Sequence, residues 1–406
     1  MDPMKILYIS PRQCWPPLSG GKLRDFHLAR ALGQQAELTY AHFADPGVPP
    51  LTRTDLPFCR ELISVPKPPP YTPLRIARGL VGRRPLPILN YTSEEMVAAL
   101  LRSVRSERFD LIHLDSIQMA GCLEPLVREL GAEARVVYNW HNIESEAMRL
   151  YSTAVRSRVR RFYAAMTAGK LERWEHAALI SGFGHAVCSE EERKQLLGLV
   201  PIARIAVIDN GVDTGYFSEA APGTAKSRVL FVGSMNYHPN IEAAVAFARQ
   251  LWPRLRERMP GYRLTVVGAN PDPSVIALRE IAGVEVTGTV PDVRPYYREA
   301  LAAIVPLRTG GGTRLKILEA MAAGVPVISS ELGAQGLHVE PGKNILIADP
   351  DDGEGWLHAL SSLAESESRR RELTAAARQL VLARYDWTAL GQSLCDTYRR
   401  WLEQTG

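Results

Sequence analysis

The sequence predicts an α/β protein with two doubly wound parallel sheets. Short apolar runs recur along the chain, and each is followed by a loop and a helical pattern. Strands that read as continuous apolar runs are buried on both faces, as in parallel sheets covered by helices. The 406 residues suit two domains at ~150 residues each. A turn-forming and then flexible segment, 210–225, divides the runs into two series.

The two series supply the predicted strands. The first sheet is expected to contain Lys5–Ser10, Leu38–Phe43, Leu111–Leu114, Val136–Trp140, Ala186–Ser189 and Ile205–Ile208. The second is expected to contain Val229–Val232, Leu264–Val267, Val284–Thr287, Ala302–Pro306, Val325–Ser329 and Ile345–Ile347. Strands alternating with helices predict βαβ units, so the carboxyl ends of both sheets are expected to border one cleft.

The composition excludes several classes of protein. A hydrophobic fraction of 46% and a charged fraction of 23% are ordinary globular values. A net charge of +4 does not predict bulk binding of nucleic acid. The five cysteines lack the paired spacing of a disulfide framework or zinc cage. No apolar run reaches the ~18 residues of a membrane span. A reduced, cytoplasmic protein is the resulting expectation.

A glycine-rich segment is the most informative part of the chain. Gly310, Gly311 and Gly312 follow a predicted strand, and Thr313 is a good N-cap for a helix that runs to Ala323.

Lys316 lies in the first turn of that helix, the wrong end for a cation unless an anion is bound there. We therefore interpret Lys316 as a phosphate contact. Glu319, on the same face, can accept both hydroxyls of a ribose. A plain connection with a surface salt bridge fits the same residues equally well.

The absence of two nucleotide-binding motifs limits the class of nucleotide that the chain is expected to bind. The chain lacks the P-loop pattern, and its glycine triplet does not have the spacing of a dinucleotide fingerprint. A diphosphate held without a P-loop fits an activated sugar nucleotide. No metal site is expected, because Asp351 and Asp352 follow a proline in a predicted surface loop.

The first half offers its own candidates. Gly20 and Gly21 lie in a turn after the first strand, before a helix predicted over Leu23–Leu32, and can direct backbone N–H groups toward a ligand or form a simple tight turn. His141 closes a strand where it can hydrogen-bond a sugar hydroxyl. His238 is a weaker candidate, and Asp115 either binds acceptor or caps a helix.

Two arginine-rich segments, 66–89 and 144–179, leave a choice of partner open. They are either solvated surface or a docking site for anionic lipid or a pyrophosphate-linked acceptor.

Motifs across the second half resemble one enzyme family. They are Asn210-Gly-Val-Asp, Phe231-Val-Gly-Ser, Gly288-Thr-Val and Lys316-Ile-Leu-Glu-Ala-Met-Ala-Ala-Gly-Val-Pro-Val. Together they resemble the retaining GT-B glycosyltransferases of family 4. The resemblance implies two Rossmann-like domains facing across a cleft, at 1–218 for acceptor and 225–383 for donor. It also implies a final helix, 384–406, that crosses back to the first domain.

The resemblance also implies roles for individual residues. Glu319 matches the second glutamate of the family's E-x7-E element, which binds ribose, and His141 matches a histidine at the transferring sugar. The remaining donor contacts implied by position are Gly20, Gly21, Gly233, Ser234, Asn236, Val290, Gly312 and Thr313.

The chain departs from the family pattern at two places. Gly311 stands where the first glutamate would fall, and residues 234–240 lack the usual Arg and Lys. We expect Lys316 to supply the missing positive charge, with help from Arg308 or Arg314.

The expected activity is transfer of a hexose from a UDP- or GDP-sugar to an acceptor hydroxyl, with retention and without metal or cofactor, in polysaccharide or glycolipid assembly. The alternatives are a sugar-nucleotide 2-epimerase of the same fold and a non-catalytic nucleotide-sugar-binding protein. Peripheral contact with the inner face of a membrane stays open, and no nucleic-acid partner is expected.

Overall fold

The computed structural model describes residues 3–17, 19–155, 157–218, 227–310 and 315–404. It divides into two compact units. Unit 1 contains the chain up to Asp209 together with the residues from Leu390 on, and unit 2 is Asn210–Ala389.

Unit 1 contains a parallel sheet of seven strands in the order β3-β2-β1-β4-β5-β6-β7. Its strands are β1 (Lys5–Ser10), β2 (Glu37–Ala44), β3 (Glu61–Pro66), β4 (Leu111–Leu114), β5 (Val136–Asn139), β6 (Gly184–Val187) and β7 (Ile205–Val207). Its helices before the unit boundary are α1 (Gly20–Gln35), α2 (Pro73–Val81), α3 (Leu86–Leu89), α4 (Glu94–Ser106), α5 (Ala120–Leu130), α6 (Glu144–Ala154), α7 (Arg158–Ser181) and α8 (Glu190–Leu199).

Unit 2 contains a parallel sheet of six strands in the order β10-β9-β8-β11-β12-β13. Its strands are β8 (Arg228–Val232), β9 (Arg263–Val267), β10 (Val284–Gly288), β11 (Ala300–Val305), β12 (Val327–Ser329) and β13 (Leu346–Ile347). Its helices are α9 (Thr214–Ser218), α10 (His238–Ala246), α11 (Trp252–Arg258), α12 (Pro273–Ile276), α13 (Arg294–Arg298), α14 (Leu315–Ala322), α15 (Glu331–Ala334), α16 (Gly353–Glu365) and α17 (Glu367–Arg384). A last helix, α18 (Trp387–Glu403), runs from unit 2 into unit 1.

The predicted fold class is confirmed. The structure differs from the prediction in one strand and in the bounds of several helices. Strand β3 was not predicted, because Glu61, Ser64 and Pro66 leave it without a continuous apolar run. The helical stretch from Glu144 to Leu179 is two helices, α6 and α7, and the arginine-rich piece before it contains α2 and α3.

The units divide at Asp209 rather than at residue 218. The Val212 N–H donates to the carbonyl of Tyr385 (2.8 Å), and the Trp387 N–H donates to the carbonyl of Val212 (3.3 Å). These bonds hold the start of this segment in unit 2. At the other end, α18 joins unit 1 from Leu390, where buried Tyr398 is hydrogen-bonded to His113 Nδ1 at 2.6 Å.

The five cysteines are all free and buried. Within the described residues, no helix is long and apolar enough to cross a membrane.

Candidate functional site

The strand order of unit 2 reverses between β8 and β11. Open α/β sheets bind ligands outside the carboxyl ends of their strands at such a switch point. Gly233 directly follows β8, and the glycine-rich segment that leads to α14 follows β11. Because β8 and β11 pair in parallel, both connections leave the same edge of the sheet.

Lys316 lies at the start of α14 and is directed at this edge. Its Nζ donates to Asn240 Oδ1 at 2.6 Å and lies 4.6 Å above the centre of the Phe231 ring. The side chain is half-buried. The ammonium group therefore lies within the switch-point region and is not turned out to bulk solvent.

Asn240, which sequence reasoning missed, links Lys316 to the loop after β8. It is buried, and its Nδ2 donates to the carbonyl of Ser234 at 2.9 Å while its Oδ1 accepts from Lys316. A Cβ on Gly233 would lie 2.8 Å from Asn240 Nδ2 and 2.9 Å from Lys316 Nζ. Glycine at 233 therefore leaves room for both groups as they are placed.

Glu319 lies one turn along α14 and has a partner from α13. The hydroxyl of the fully buried Tyr297 donates to Glu319 Oε2 at 3.2 Å. Burial raises the pKa of Glu319, and the hydrogen bond from Tyr297 and the charge of Lys316 offset part of that rise. Sequence reasoning assigned no role to Tyr297.

Other predicted donor contacts occupy the loops at the same edge. Ser234 and Asn236 are exposed in the loop after β8. Val290 follows β10 and is half-buried against the core of unit 2. Gly311, Gly312 and Thr313, together with Arg314, lie outside the described residues.

Arg308 has a different environment from the one expected. Its guanidinium donates to the carbonyl of Pro350 at 3.0 Å and is ion-paired with Asp351. With His238 it lines a groove of about 550 Å³ along α10. Among the described residues that line this groove, neither Lys316 nor Glu319 appears. Arg308 therefore does not assist Lys316 in this arrangement.

Unit 1 has its own switch point, between β1 and β4, and a buried carboxylate lies there. Asp115, directly after β4, is fully buried. Its Oδ1 accepts from Tyr8 (3.0 Å) and Asn139 (2.7 Å), and His141 Nε2 lies 3.1 Å from both of its oxygens. His141 thus lies at the predicted strand end, oriented by Asp115. The capping role considered for Asp115 is wrong, because Ser116 caps the helical turn that follows.

A second buried carboxylate, Asp25 of α1, accepts from Ser10 (2.6 Å) and Tyr40 (3.0 Å). Burial and the charge of Asp115 raise the pKa of Asp25 well above its usual range. Burial acts to raise the pKa of Asp115 too, but the charge of His141 and its hydrogen bonds hold that pKa well below its usual range. The pKa values of the two carboxyl groups are therefore shifted in opposite directions.

Asp25 has a signal that could have revealed it. It lies on the apolar face of the predicted helix, three and seven residues before the buried Leu28 and Leu32. A carboxylate at a core-facing position marks a buried polar cluster.

Gly20 and Gly21 form the first turn of α1. A Cβ on Gly21 would overlap the guanidinium of Arg12. Close packing of Arg12 is thus one reason for a glycine at 21.

Two families of protein sequence match the chain over most of its length. Residues 226–366 match the family described as "Glycosyl transferases group 1", and residues 27–211 match "Glycosyl transferase 4-like domain". Glycogen synthase of Mycobacterium tuberculosis is 29% identical over 206 residues, which are 48% of this chain and 49% of that protein. Phosphatidyl-myo-inositol mannosyltransferase of Mycolicibacterium smegmatis is 30% identical over 47% of this chain and 50% of that protein. The chain spans about half the length of these curated relatives.

Solved structures share the fold over nearly the whole chain. Sucrose-phosphate synthase of Thermosynechococcus elongatus superposes with a TM-score of 0.69 at 20% identity, covering 98% of this chain and 100% of that one. Anabaena HepE, solved in complex with UDP and glucose, superposes with a TM-score of 0.65 at 15% identity. The match covers 97% of this chain and 99% of that one. The protein has the two-domain α/β fold called GT-B and belongs to the group 1 glycosyltransferases of the family 4 type.

Proposed function

We propose that the protein transfers a hexose from a UDP- or GDP-sugar to an acceptor hydroxyl, with retention of the anomeric configuration. The observation that carries this proposal is the position of Lys316. Its ammonium group lies at the amino end of α14, beside the backbone of Gly233 and on the switch-point edge of the sheet. A bound diphosphate accounts for a cation at the positive end of a helix dipole.

The surrounding residues fit the rest of a nucleotide. Glu319, held by Tyr297, can accept the ribose hydroxyls. The loop at 233–236 offers backbone and polar side-chain groups to the phosphates, and the loop around Val290 is proposed to contact the base. The contact of His141 with the transferred sugar stays a prediction.

Relatives support the substrate classes. HepE has been solved with UDP and glucose, and another relative is named a GDP-mannose-dependent mannosyltransferase acting on a phosphatidylinositol monomannoside. A further relative is named glycogen synthase, and glycogen is a polysaccharide. We therefore propose a polysaccharide or glycolipid precursor as acceptor. Retention rests on the family resemblance. Independence from metal is proposed because Lys316 and backbone N–H groups can meet the leaving-group charge.

The test begins with thermal shift across UDP, GDP and their hexose conjugates, which identifies the base. The stabilising donor is then incubated with and without a panel of oligosaccharide and inositol acceptors. A transferase releases nucleotide in an acceptor-dependent manner, also in EDTA, and NMR of the product shows the donor's anomeric configuration. Conversion of the donor sugar without acceptor would instead identify the epimerase. Binding without turnover would identify the non-catalytic protein.

Tyr297→Phe tests the ribose assignment through pH. The variant loses the hydrogen bond that lowers the pKa of Glu319, so its pKa should rise further. Because only the carboxylate accepts two hydroxyls, nucleotide affinity should fall off at a higher pH in the variant than in the wild type. Calorimetric titration of the stabilising nucleotide from about pH 5 to about pH 8 measures this shift.

The control is the matched 2′-deoxynucleotide, whose weaker binding should show a smaller shift. Identical pH profiles for wild type and Tyr297→Phe would contradict the role of Glu319.

A further inference from the structure

Two segments of unit 1 combine positive charge with exposed apolar side chains. Residues 62–93 and 147–171 contain no Asp or Glu, and they carry five and six Lys or Arg residues respectively. Helix α2 lies in the first segment, and the end of α6 and the first half of α7 lie in the second. Such acid-free, arginine-rich stretches present a positive surface.

The apolar side chains of these segments are unusually exposed. Val81 of α2 is 91% exposed, and Val159 and Phe162 of α7 are 78% and 71% exposed. Leu74 and Leu80 of α2 are exposed as well. Clustered apolar exposure of this kind marks an interaction surface rather than ordinary solvent contact.

Contacts between α2 and α7 place the two segments side by side. Lys170 Nζ of α7 donates to the carbonyls of Gly79 (2.6 Å) and Leu80 (2.8 Å) at the end of α2. At the other end of α2, Tyr71 is close enough to Tyr163 to add to the rise in the Tyr163 pKa that burial causes. These contacts bring α2 and α7 close to each other on unit 1.

Arginines are interleaved with these apolar side chains. Arg78 lies on the same face of α2 as Leu74 and Val81, and Arg160 is next to Val159 in α7. Within the part of the chain that the structure describes, neither guanidinium has an ion-pair partner. We define the basic–apolar surface as Leu74, Arg78, Val81, Val159, Arg160 and Phe162.

We propose that the basic–apolar surface docks unit 1 on an anionic lipid bilayer. The arginines pair with lipid phosphates, and the aliphatic and aromatic side chains enter the interface between headgroups and acyl chains. A soluble polyanion would satisfy the arginines and leave Val81 and Phe162 in water. An uncharged apolar partner would leave the arginines unpaired. An anionic bilayer complements both.

The test is sedimentation of the full chain with vesicles, without any sugar nucleotide, so that its outcome does not depend on the proposed transfer reaction. Binding is expected to vesicles of phosphatidylcholine with about 30% phosphatidylglycerol, and not to phosphatidylcholine alone. Raising the salt from about 0.1 M to about 1 M shortens the Debye length from ~10 Å to ~3 Å and should release most of the protein.

Two double variants separate the two contributions. Arg78→Gln with Arg160→Gln should weaken partitioning about twenty-fivefold, at about fivefold for each arginine near an anionic surface. Val81→Ser with Phe162→Ser should weaken partitioning about tenfold or more, because two apolar side chains no longer enter the bilayer. This variant leaves the charge of the surface unchanged. Ile202→Ser is the matched control, since Ile202 is 94% exposed outside this surface, and it should bind like the wild type.

Several results would overturn the proposal. They are equal binding to neutral vesicles, wild-type binding by the Val81→Ser/Phe162→Ser variant, and equal affinity for a DNA duplex of similar charge. A dimer that this variant abolishes, in a protein that ignores vesicles, would show that the surface joins two copies of the chain.

Discussion

Lys316→Ala is expected to reduce turnover by about two to three orders of magnitude, the effect of removing one preorganised donor that meets developing charge. The ammonium group lies against Gly233 and Asn240, where the leaving diphosphate is proposed to bind. Initial rates of nucleotide release at saturating donor measure this loss. Affinity for the free nucleoside diphosphate should fall too, because the same charge holds the product.

Lys343→Ala is the matched control, since Lys343 is an exposed lysine of unit 2 that is ion-paired only locally with Glu340. It should leave the rate unchanged. Urea unfolding checks that Lys316→Ala is folded. If the folded variant keeps its turnover within about threefold of the wild type, Lys316 is not the phosphate contact.

Asp115→Asn and Asp25→Asn are expected to have opposite consequences, although both replace a fully buried carboxyl by its isosteric amide. Asn at 115 can still accept from Asn139 through its amide oxygen, but it removes the negative charge that pairs with His141 and places an amide N–H group beside that ring, so the free energy of unfolding should fall by about 2–3 kcal/mol. Burial and the charge of Asp115 oppose the ionisation of Asp25, so the uncharged amide at 25 should be neutral or stabilising near pH 7.

The pH dependence of the free energy of unfolding tests the opposite pKa shifts of Asp115 and Asp25. Asp115 has a lowered pKa, so its contribution is present above the ordinary carboxyl value and disappears as the pH falls through its pKa in the folded state. Asp25 has a raised pKa, so the folded protein loses stability as the pH rises above the ordinary value toward that raised pKa. Urea midpoints between about pH 5 and about pH 3 measure the Asp115 effect, and midpoints between about pH 5 and about pH 7.5 measure the Asp25 effect. A greater loss from Asp25→Asn than from Asp115→Asn would reverse the assignment.

The sheets could be predicted because their strands are buried on both faces. β11 is apolar throughout and β1 is apolar between Lys5 and Ser10, and the predicted bounds of both strands lie within two residues of the observed ones. β3 could not be found in this way, because polar residues and a proline interrupt and bound its short apolar run.

Only part of the site could be predicted from the sequence. Lys316 could be predicted because it is a cation in the first turn of a helix, where the helix dipole disfavours positive charge. Asn240 and Tyr297 had no such signal, because they meet Lys316 and Glu319 only after β8, β10 and β11 are placed in one sheet. Asp115 and His141 end neighbouring strands, which sequence spacing alone does not reveal.

The path of α18 bears on how the chain matures. Unit 2 is one uninterrupted stretch, whereas unit 1 takes Tyr398 and Trp401 into its interior from residues translated after unit 2. All residues of unit 2 are therefore synthesised before the last segment of unit 1. Until α18 is translated, the sheet of unit 1 has part of its apolar surface exposed. Such an incompletely packed intermediate is prone to aggregation and to binding by chaperones. Premature stop codons after residue 389 should consequently damage the half of the protein that is made first.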